Sequence, residues 1–242
     1  MSSGPRTGLR SRKAFVAVIV VILLAGAWAT VRSPVFAVRE ILVAGHAPLP
    51  RARLVRLSGV RHGDNLVLDV SADEIRARLE ASPWVAQADV ERRLPSTLVL
   101  TIRERVAAGW VGDPGGGAVV SRDGTVLERP GRRPPGLPGV GTAPRALPPG
   151  AAVAGMGAVL LVAGSLPPDL RAEVSAVRRD GADVVLRLRG GARVLYGPPS
   201  SLRAKNAAVR SMLAWAAERD VAIGYIDVRV PDAPVLRAAT PG

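Results

Sequence analysis

SADEIRARLEASPWVAQADVERRLPSTLVLTIRER, residues 71–105, is the stretch on which the fold turns. Ser71, Ala72, Asp73 and Glu74 form a capping box, in which the Ser71 hydroxyl takes the Glu74 amide and Glu74 reaches back to Ser71. The helix it opens places Ile75, Leu79 and the stem of Arg78 on one side and stops before Pro83. Residues 85–93 read as a strand, and Leu94, Pro95 and Ser96 turn the chain. In residues 97–104, Leu98, Leu100 and Ile102 alternate with Val99, Thr101 and Arg103, which marks a half-buried strand.

Toward the N-terminus, residues 36–43 (FAVREILV) read as a strand stopped at Gly45 and His46, and 49–57 as a short helix ending at Ser58 and Gly59. The order is therefore β-α-α-β-β. Before it lies AFVAVIVVILLAGAWATV, residues 14–31, 18 positions without a charge. As a helix it covers about 27 Å of the ~30 Å hydrocarbon core. Arg6, Arg10, Arg12 and Lys13 precede it, with no acidic residue in positions 1–13. A cationic flank stays in the cytoplasm, so residues 1–13 are expected there and the bulk of the chain outside. Trp28 falls near the outer end, at headgroup level. The competing reading is a cleaved signal peptide, from the A-x-A form of Ala27, Trp28 and Ala29 and the degenerate twin-arginine start at Ser11, Arg12 and Lys13. The length of the apolar run favours a retained anchor.

Toward the C-terminus, residues 118–121 and 125–127 flank Asp123 and Gly124, a hairpin signal. In residues 130–150, 12 of 21 positions are Pro or Gly, which predicts an extended or irregular loop and no core element. Residues 151–164 are apolar nearly throughout and read as a buried helix over a sheet, being short for a second membrane span. Val184, Leu186 and Leu188 alternate with Val185, Arg187 and Arg189, and Gly190 with Gly191 turns into a strand over 192–196. Ser200 or Ser201 is expected to cap a helix carrying Leu202, Val209, Met212 and Ala216 at three-to-four spacing. Ile226, Val228 and Val230 are expected on the inner face of a late strand.

Composition excludes several functions. There is no cysteine, hence no disulfide, thiolate metal site or cysteine nucleophile. His46 and His62, the only histidines, both sit beside glycine in loop-like segments. The formal net charge is +13; four of those charges lie in the tail, leaving nine outside. Only Lys13 and Lys205 are lysines among 33 basic residues, and with abundant Ala, Gly and Pro this suggests GC-rich codon usage. Aromatics that could stack on bases are sparse, so attraction to anionic lipid or wall polymer is the better use of the charge. The glycines of 112–117 lack the lysine and hydroxyl of a P-loop. Ser165 lacks a nucleophile elbow and an activating histidine. Asp64, Asp69, Asp73 and Glu74 cluster in sequence, but Glu74 has a capping duty and Asp64 with Asn65 reads as a turn. No catalytic, cofactor or metal residue is expected, and the chain is read as a binding protein.

SPVFAVREILVAGH (33–46) just after a membrane anchor, and then GDNLVLDVSADEIRARLEASPWVAQADVERRLPSTLVLTIRERVAAGWV (63–111), resemble the POTRA module and following strand of the FtsQ/DivIB family of bacterial division proteins. The most specific piece joins Ala81, Ser82, Pro83, Trp84 and Val85 through Val90, Arg92 and Pro95 to Glu104, Arg105 and Trp110. Leu195, Tyr196 and Gly197 before the helix with Lys205, and YIDVRV at 225–230, fit as well. Composition suggests an actinobacterial member. The departures are the Pro/Gly-rich insert and Pro231 and Pro234 in the last strand region.

The resemblance implies an α+β chain: one N-terminal transmembrane helix (14–31), a POTRA domain (35–105), a mainly antiparallel β domain with flanking helices (106–237, with the 130–150 loop), and a C-terminal tail (238–242). It implies a bitopic divisome scaffold, N-terminus cytoplasmic, at the division septum, linking partners for septal peptidoglycan synthesis. The implied partners are FtsB/DivIC-like and FtsL-like coiled-coil proteins, met at the C-terminal end of the β domain. Carried over by position, Tyr225, Asp227, Arg229 and Val230 lie in the matching strand and Asp232, Val235 and Leu236 in its continuation, an unpaired edge to which a partner strand could add. Two alternatives stay open: a POTRA-type chaperone or transport component, although the outer-membrane barrel of such proteins calls for aromatic girdles that this chain lacks, and a cell-wall enzyme released by cleavage at Ala29.

Overall fold

The computed structural model describes residues 8–45, 49–113, 116–142 and 147–239, and the statements below concern these. His46, Arg6, parts of the 112–117 and 130–150 stretches, and the end of the C-terminal tail lie outside them. The chain divides into two compact units, Met1–Glu80 with Gln87–Arg103, and Ala81–Ala86 with Glu104–Gly242.

In the first unit, α1 (Gly8–Val31) is the one described helix long and apolar enough to cross a membrane, the candidate span Phe15–Phe36 having a mean hydropathy of 2.3. Its side chains from Phe15 to Thr30 are all exposed, as a lipid-facing helix requires. The chain then makes a 3₁₀ turn, Pro34–Phe36, capped by the Ser33 hydroxyl on the Val35 amide at 3.3 Å. This turn shortens the strand expected from residue 36: β1 is Glu40–Ala44, because Pro34 holds the entry in a turn and Ala37 bridges to Asn65 instead. Helix α2 (Arg51–Ser58) ends on Gly59, whose φ of 72° closes the last turn, and α3 (Ala72–Glu80) follows. Strands β2 (Val85–Arg93) and β3 (Thr97–Glu104) complete the order β-α-α-β-β.

The sheet order is β1-β3-β2, with β1 parallel to β3 from Glu40↔Thr97 to Ala44↔Thr101. The Ser71 hydroxyl does accept the Glu74 amide (3.4 Å), while the Glu74 carboxylate pairs with Arg78 at 3.3 Å, one turn along the same helix. Leu54, Ile75 and Leu79 of the helices are fully buried, as are Leu98, Leu100 and Ile102 on one face of the central strand. Val99 on its other face is also buried, so this strand is more enclosed than simple alternation predicts.

The second unit is a nine-stranded, mainly antiparallel sheet in the order β12-β11-β10-β9-β8-β7-β4-β5-β6. Its strands are β4 (Ala107–Asp113), β5 (Gly116–Ser121), β6 (Val126–Glu128), β7 (Gly139–Gly141), β8 (Val174–Asp180), β9 (Asp183–Leu188), β10 (Arg193–Gly197), β11 (Ile223–Asp227) and β12 (Val235–Ala238). Helices α4 (Gly157–Ser165), α5 (Pro168–Glu173) and α6 (Leu202–Glu218) flank it. Val111, Val120, Val177, Leu186, Val194 and Ile226 of the sheet share one core with Val159, Val162 and Val209 of the helices. The apolar run at 151–164 thus supplies a buried helix, as its length predicts.

Two expectations need correction here. The Pro/Gly-rich segment is not merely a surface loop: it supplies β7, which lies between β4 and β8 in parallel with both. Val140 of this strand is buried in the main core, and the approach is allowed by Gly109, where a Cβ would stand 2.4 Å from Val140 Cγ1. Arg133 fastens the segment, donating to the carbonyls of Leu137 (2.8 Å) and Ser175 (2.7 Å). The cap expected from Ser200 or Ser201 is not made by a side chain: Ser201 occupies the N-cap position in the left-handed region (φ 51°). The anchoring there falls to Lys205, buried in α6, whose Nζ donates to the Pro198 carbonyl (2.8 Å) above the Tyr196 ring.

The Ala81-to-Val85 and Glu104-Arg105 motifs meet in this unit. The Arg105 guanidinium donates to the carbonyls of Pro83 (3.1 Å) and Val85 (2.5 Å) and pairs with Asp123 (2.9 Å) in the β5–β6 turn. Burial alone would raise the Asp123 carboxyl, but hydrogen bonds from the Ser121 hydroxyl, Arg105 and the Thr125 amide outweigh it and hold it well below its ordinary 3.8. The folded state therefore binds this proton more weakly than the unfolded chain. The stabilisation is complete above 3.8 and is lost as the pH falls below it. Accordingly, Asp123→Asn is expected to lower the unfolding temperature at neutral pH, with the gap from the parent beginning to narrow only as the pH falls below 3.8 and shrinking steadily with further acidification. A gap that stays constant across paired thermal melts would show that the Asp123 charge is not what is lost.

Candidate partner-binding edge

The C-terminal strands set the geometry of the candidate site. Strand β10 pairs in parallel with β11, which pairs antiparallel with β12 through Tyr225↔Arg237, Ile226↔Leu236 and Asp227↔Val235. Behind them, Tyr196 of β10 donates its hydroxyl to Asn206 Oδ1 (3.0 Å) of α6, and the Asn206 amide reaches the Ser165 carbonyl (2.9 Å). Burial pushes the Tyr196 phenol up to about 12, so it stays a neutral donor. This network and the Lys205 bond to the Pro198 carbonyl seat α6 on one face of the sheet.

Ile226 and Val228 are fully buried, as expected, but Val230 is 62% exposed and leaves the inner face. The reason is a hairpin. The Ala233 amide donates to the Val230 carbonyl (3.2 Å), and Pro231 and Pro234 both fall in the loop before β12. The prolines thus do not interrupt a long strand; they turn the chain so that residues 235–238 return beside β11. The late strand is consequently not an edge, since it is paired on both sides. At this end the edge of the sheet is β12, with β6 at the other.

The structure brings Tyr225, Asp227 and Val235 onto the face turned away from the core. Leu236 points the other way and packs against the main core. Val230 and Asp232 stand exposed at the hairpin tip. The Arg229 guanidinium holds the Asp227 carboxylate (2.6 Å) and keeps it below its usual range, with its stem lying over Gly197. Sequence reasoning missed Arg187, Arg193 and Arg237. The register Arg187↔Arg193↔Tyr225↔Arg237 lines them up across β9, β10, β11 and β12, all three exposed. Alternation alone would have put Arg193 on the outer face, but only the strand order makes these arginines neighbours. Among the described residues, no three His, Cys, Asp or Glu side chains are grouped to hold a metal.

The arrangement is one of backbone and surface: a strand paired on one side and open on the other, a row of exposed arginines in register with it, and a packed core behind. Two family models cover most of the chain, the FtsQ-type POTRA domain over residues 36–105 and the FtsQ/DivIB C-terminal domain over 108–229. The chain belongs to the FtsQ/DivIB family. It is similar to FtsQ of Mycolicibacterium smegmatis, 29% identical over 97% of this chain and 68% of that protein. It is 26% identical to FtsQ of Mycobacterium leprae over 85% of this chain and 57% of the relative. Corynebacterium glutamicum FtsQ is 31% identical over 45% and 47%. The chain thus spans between about half and two thirds of the length of these FtsQ relatives, each named a cell division protein. Membership of the FtsQ/DivIB family gives the chain a role in cell division, and its one apolar N-terminal helix fits a single-pass membrane protein.

Proposed function

We propose that this chain is a non-catalytic, bitopic scaffold of the divisome that recruits and links division proteins for septal peptidoglycan synthesis. In this reading residues 35–105 are the POTRA domain and 106–237 the β domain. The N-terminus is cytoplasmic and both domains lie outside the membrane, following the cationic flank of α1. The observation that carries the binding role is the free edge of β12 on a sheet whose other elements are held by a buried core. An extended segment of an FtsB/DivIC-like protein adds there as a further strand, with the FtsL-like protein held through it. The arginine row beside the edge suits acidic side chains on the incoming segment. Tyr225, Asp227, Arg229, Val230, Asp232, Val235 and Leu236 are the partner-binding candidates, with Leu236 acting through support of the strand.

The test is recovery from gently solubilised native membranes with the full-length tagged protein, beside a variant carrying Tyr225→Lys and Val230→Lys. Recovery of the two coiled-coil proteins by the parent and their loss from the folded variant supports the scaffold and places its site. Equal recovery keeps the scaffold and removes these two side chains from the interface. If the parent recovers no division protein, the reading fails, and the chaperone and wall-enzyme alternatives come forward.

A further inference from the structure

We propose that the first unit is seated on the lipid surface by its loop of residues 64–69, with Val67 and Leu68 entering the headgroup layer beside the end of α1. This inference rests on α1 spanning the membrane and is independent of the partner site.

Asn65 builds the seat. Its side-chain oxygen accepts the amides of Val67 (3.0 Å) and Leu68 (3.1 Å), which fixes a tight loop with both apolar side chains outward, 38% and 45% exposed. Its Nδ2 donates to the carbonyl of Val31 at 2.8 Å. Val31 is the last residue of α1, and its carbonyl is one that a helix end leaves without an internal partner. One side chain therefore both shapes the loop tip and fastens it to the point where the apolar helix ends. Val35, 50% exposed, stands on the connecting turn, and the Arg32 guanidinium lies 4.5 Å from the ring centroid of Trp28 on the helix itself.

Covalent geometry selects lipid as the occupant. The apolar run ends at Val31 after about 27 Å of helix, so its last carbonyl lies at the edge of the ~30 Å hydrocarbon core. A loop one hydrogen bond from that carbonyl cannot avoid the headgroup layer, and exposed valine and leucine there continue an existing apolar surface. The charges agree. Asp64 and Asp69 turn one carboxylate oxygen each inward to the amides of Arg61 (2.7 Å) and Asn65 (3.0 Å), and the exposed guanidinium groups of Arg32 and Arg61 offset their charge, so the loop carries no net negative charge toward the headgroups.

The chain has no cysteine, so a single one can be introduced for labelling. Leu68→Cys and Ala44→Cys, each carrying an environment-sensitive fluorophore, are reconstituted as full-length protein in phosphatidylcholine–phosphatidylglycerol vesicles containing a lipid with a shallow nitroxide quencher. Ala44 is exposed at the far end of β1, about 13 Å along the strand from Glu40. The Leu68 probe is expected to shift to the blue and lose most of its emission to the nitroxide, with the Ala44 probe little changed. Adding Asn65→Ala should restore much of the Leu68 emission. Equal quenching at the two positions in protein that floats with the vesicles would overturn the seat alone. Protein that does not float would overturn the span and the seat together.

Discussion

Replacing Ala238 by proline is expected to weaken capture of the FtsB/DivIC-like partner by at least about tenfold, the loss of ~1.4 kcal/mol, while leaving the thermal stability of the chain unchanged. The Ala239 amide donates inward, to the Ala222 carbonyl at 2.8 Å. Backbone groups alternate in direction along a strand, so the amides of Leu236 and Ala238 face the open edge. Proline at 238 deletes one of these outward donors and fills its place with a ring, without removing a bond from the β11–β12 ladder. Ala238→Lys is the control, since it changes the side chain and keeps the donor. Affinities are measured with full-length protein in mild detergent against the purified partner. Equal affinities for parent and proline variant would mean that the partner does not add a strand at this edge.

The second large effect is on the fold. Val140→Asp is expected to cost on the order of 3–5 kcal/mol, from a carboxylate buried without a partner. Against a total stability of about 5–15 kcal/mol, that is enough to unfold much of the population. Val140 is 2% exposed in the middle of the nine-stranded sheet, so the damage reaches both neighbouring strands. Arg132→Asp, at an exposed position in the same Pro/Gly-rich segment, is expected to be nearly neutral. Thermal melts followed by tryptophan emission separate the two, because Trp110 is buried beside this segment's Leu137. Similar melts for the two variants would return residues 130–142 to the status of a surface loop.

Much of this molecule was legible where local pattern and tertiary role agree. The strands at 85–93 and 97–104 have the limits that the sequence predicts, because a helix stop at Pro83 and a turn at Pro95 leave each run one course. The strand at 139–141 was not legible. A single valine between glycines has no periodicity, and its strand state comes from neighbours already in place, with Gly109 making room. The candidate edge was half legible: the outward set of Tyr225, Asp227 and Arg229 follows from alternation with Ile226 and Val228. Pro231 and Pro234 read equally well as breaks in a long strand or as the loop of a hairpin, and that choice decides which strand is the edge. The arginine row depends on register among four strands, and no local signal carries it.

The parallel pairing of β1 with β3 also shapes how the chain is made. Glu40 meets its partner Thr97 only after about 57 more residues have been added. At ~5–20 residues per second the nascent first strand waits roughly 3–11 s with no edge to join. During that wait the α1 segment is already available to the membrane, so the first strand is held at a fixed address while the remainder of its sheet is still being synthesised. Anchoring then precedes completion of the sheet, and a chain that stops short of residue 97 holds a first strand without the neighbour it pairs with.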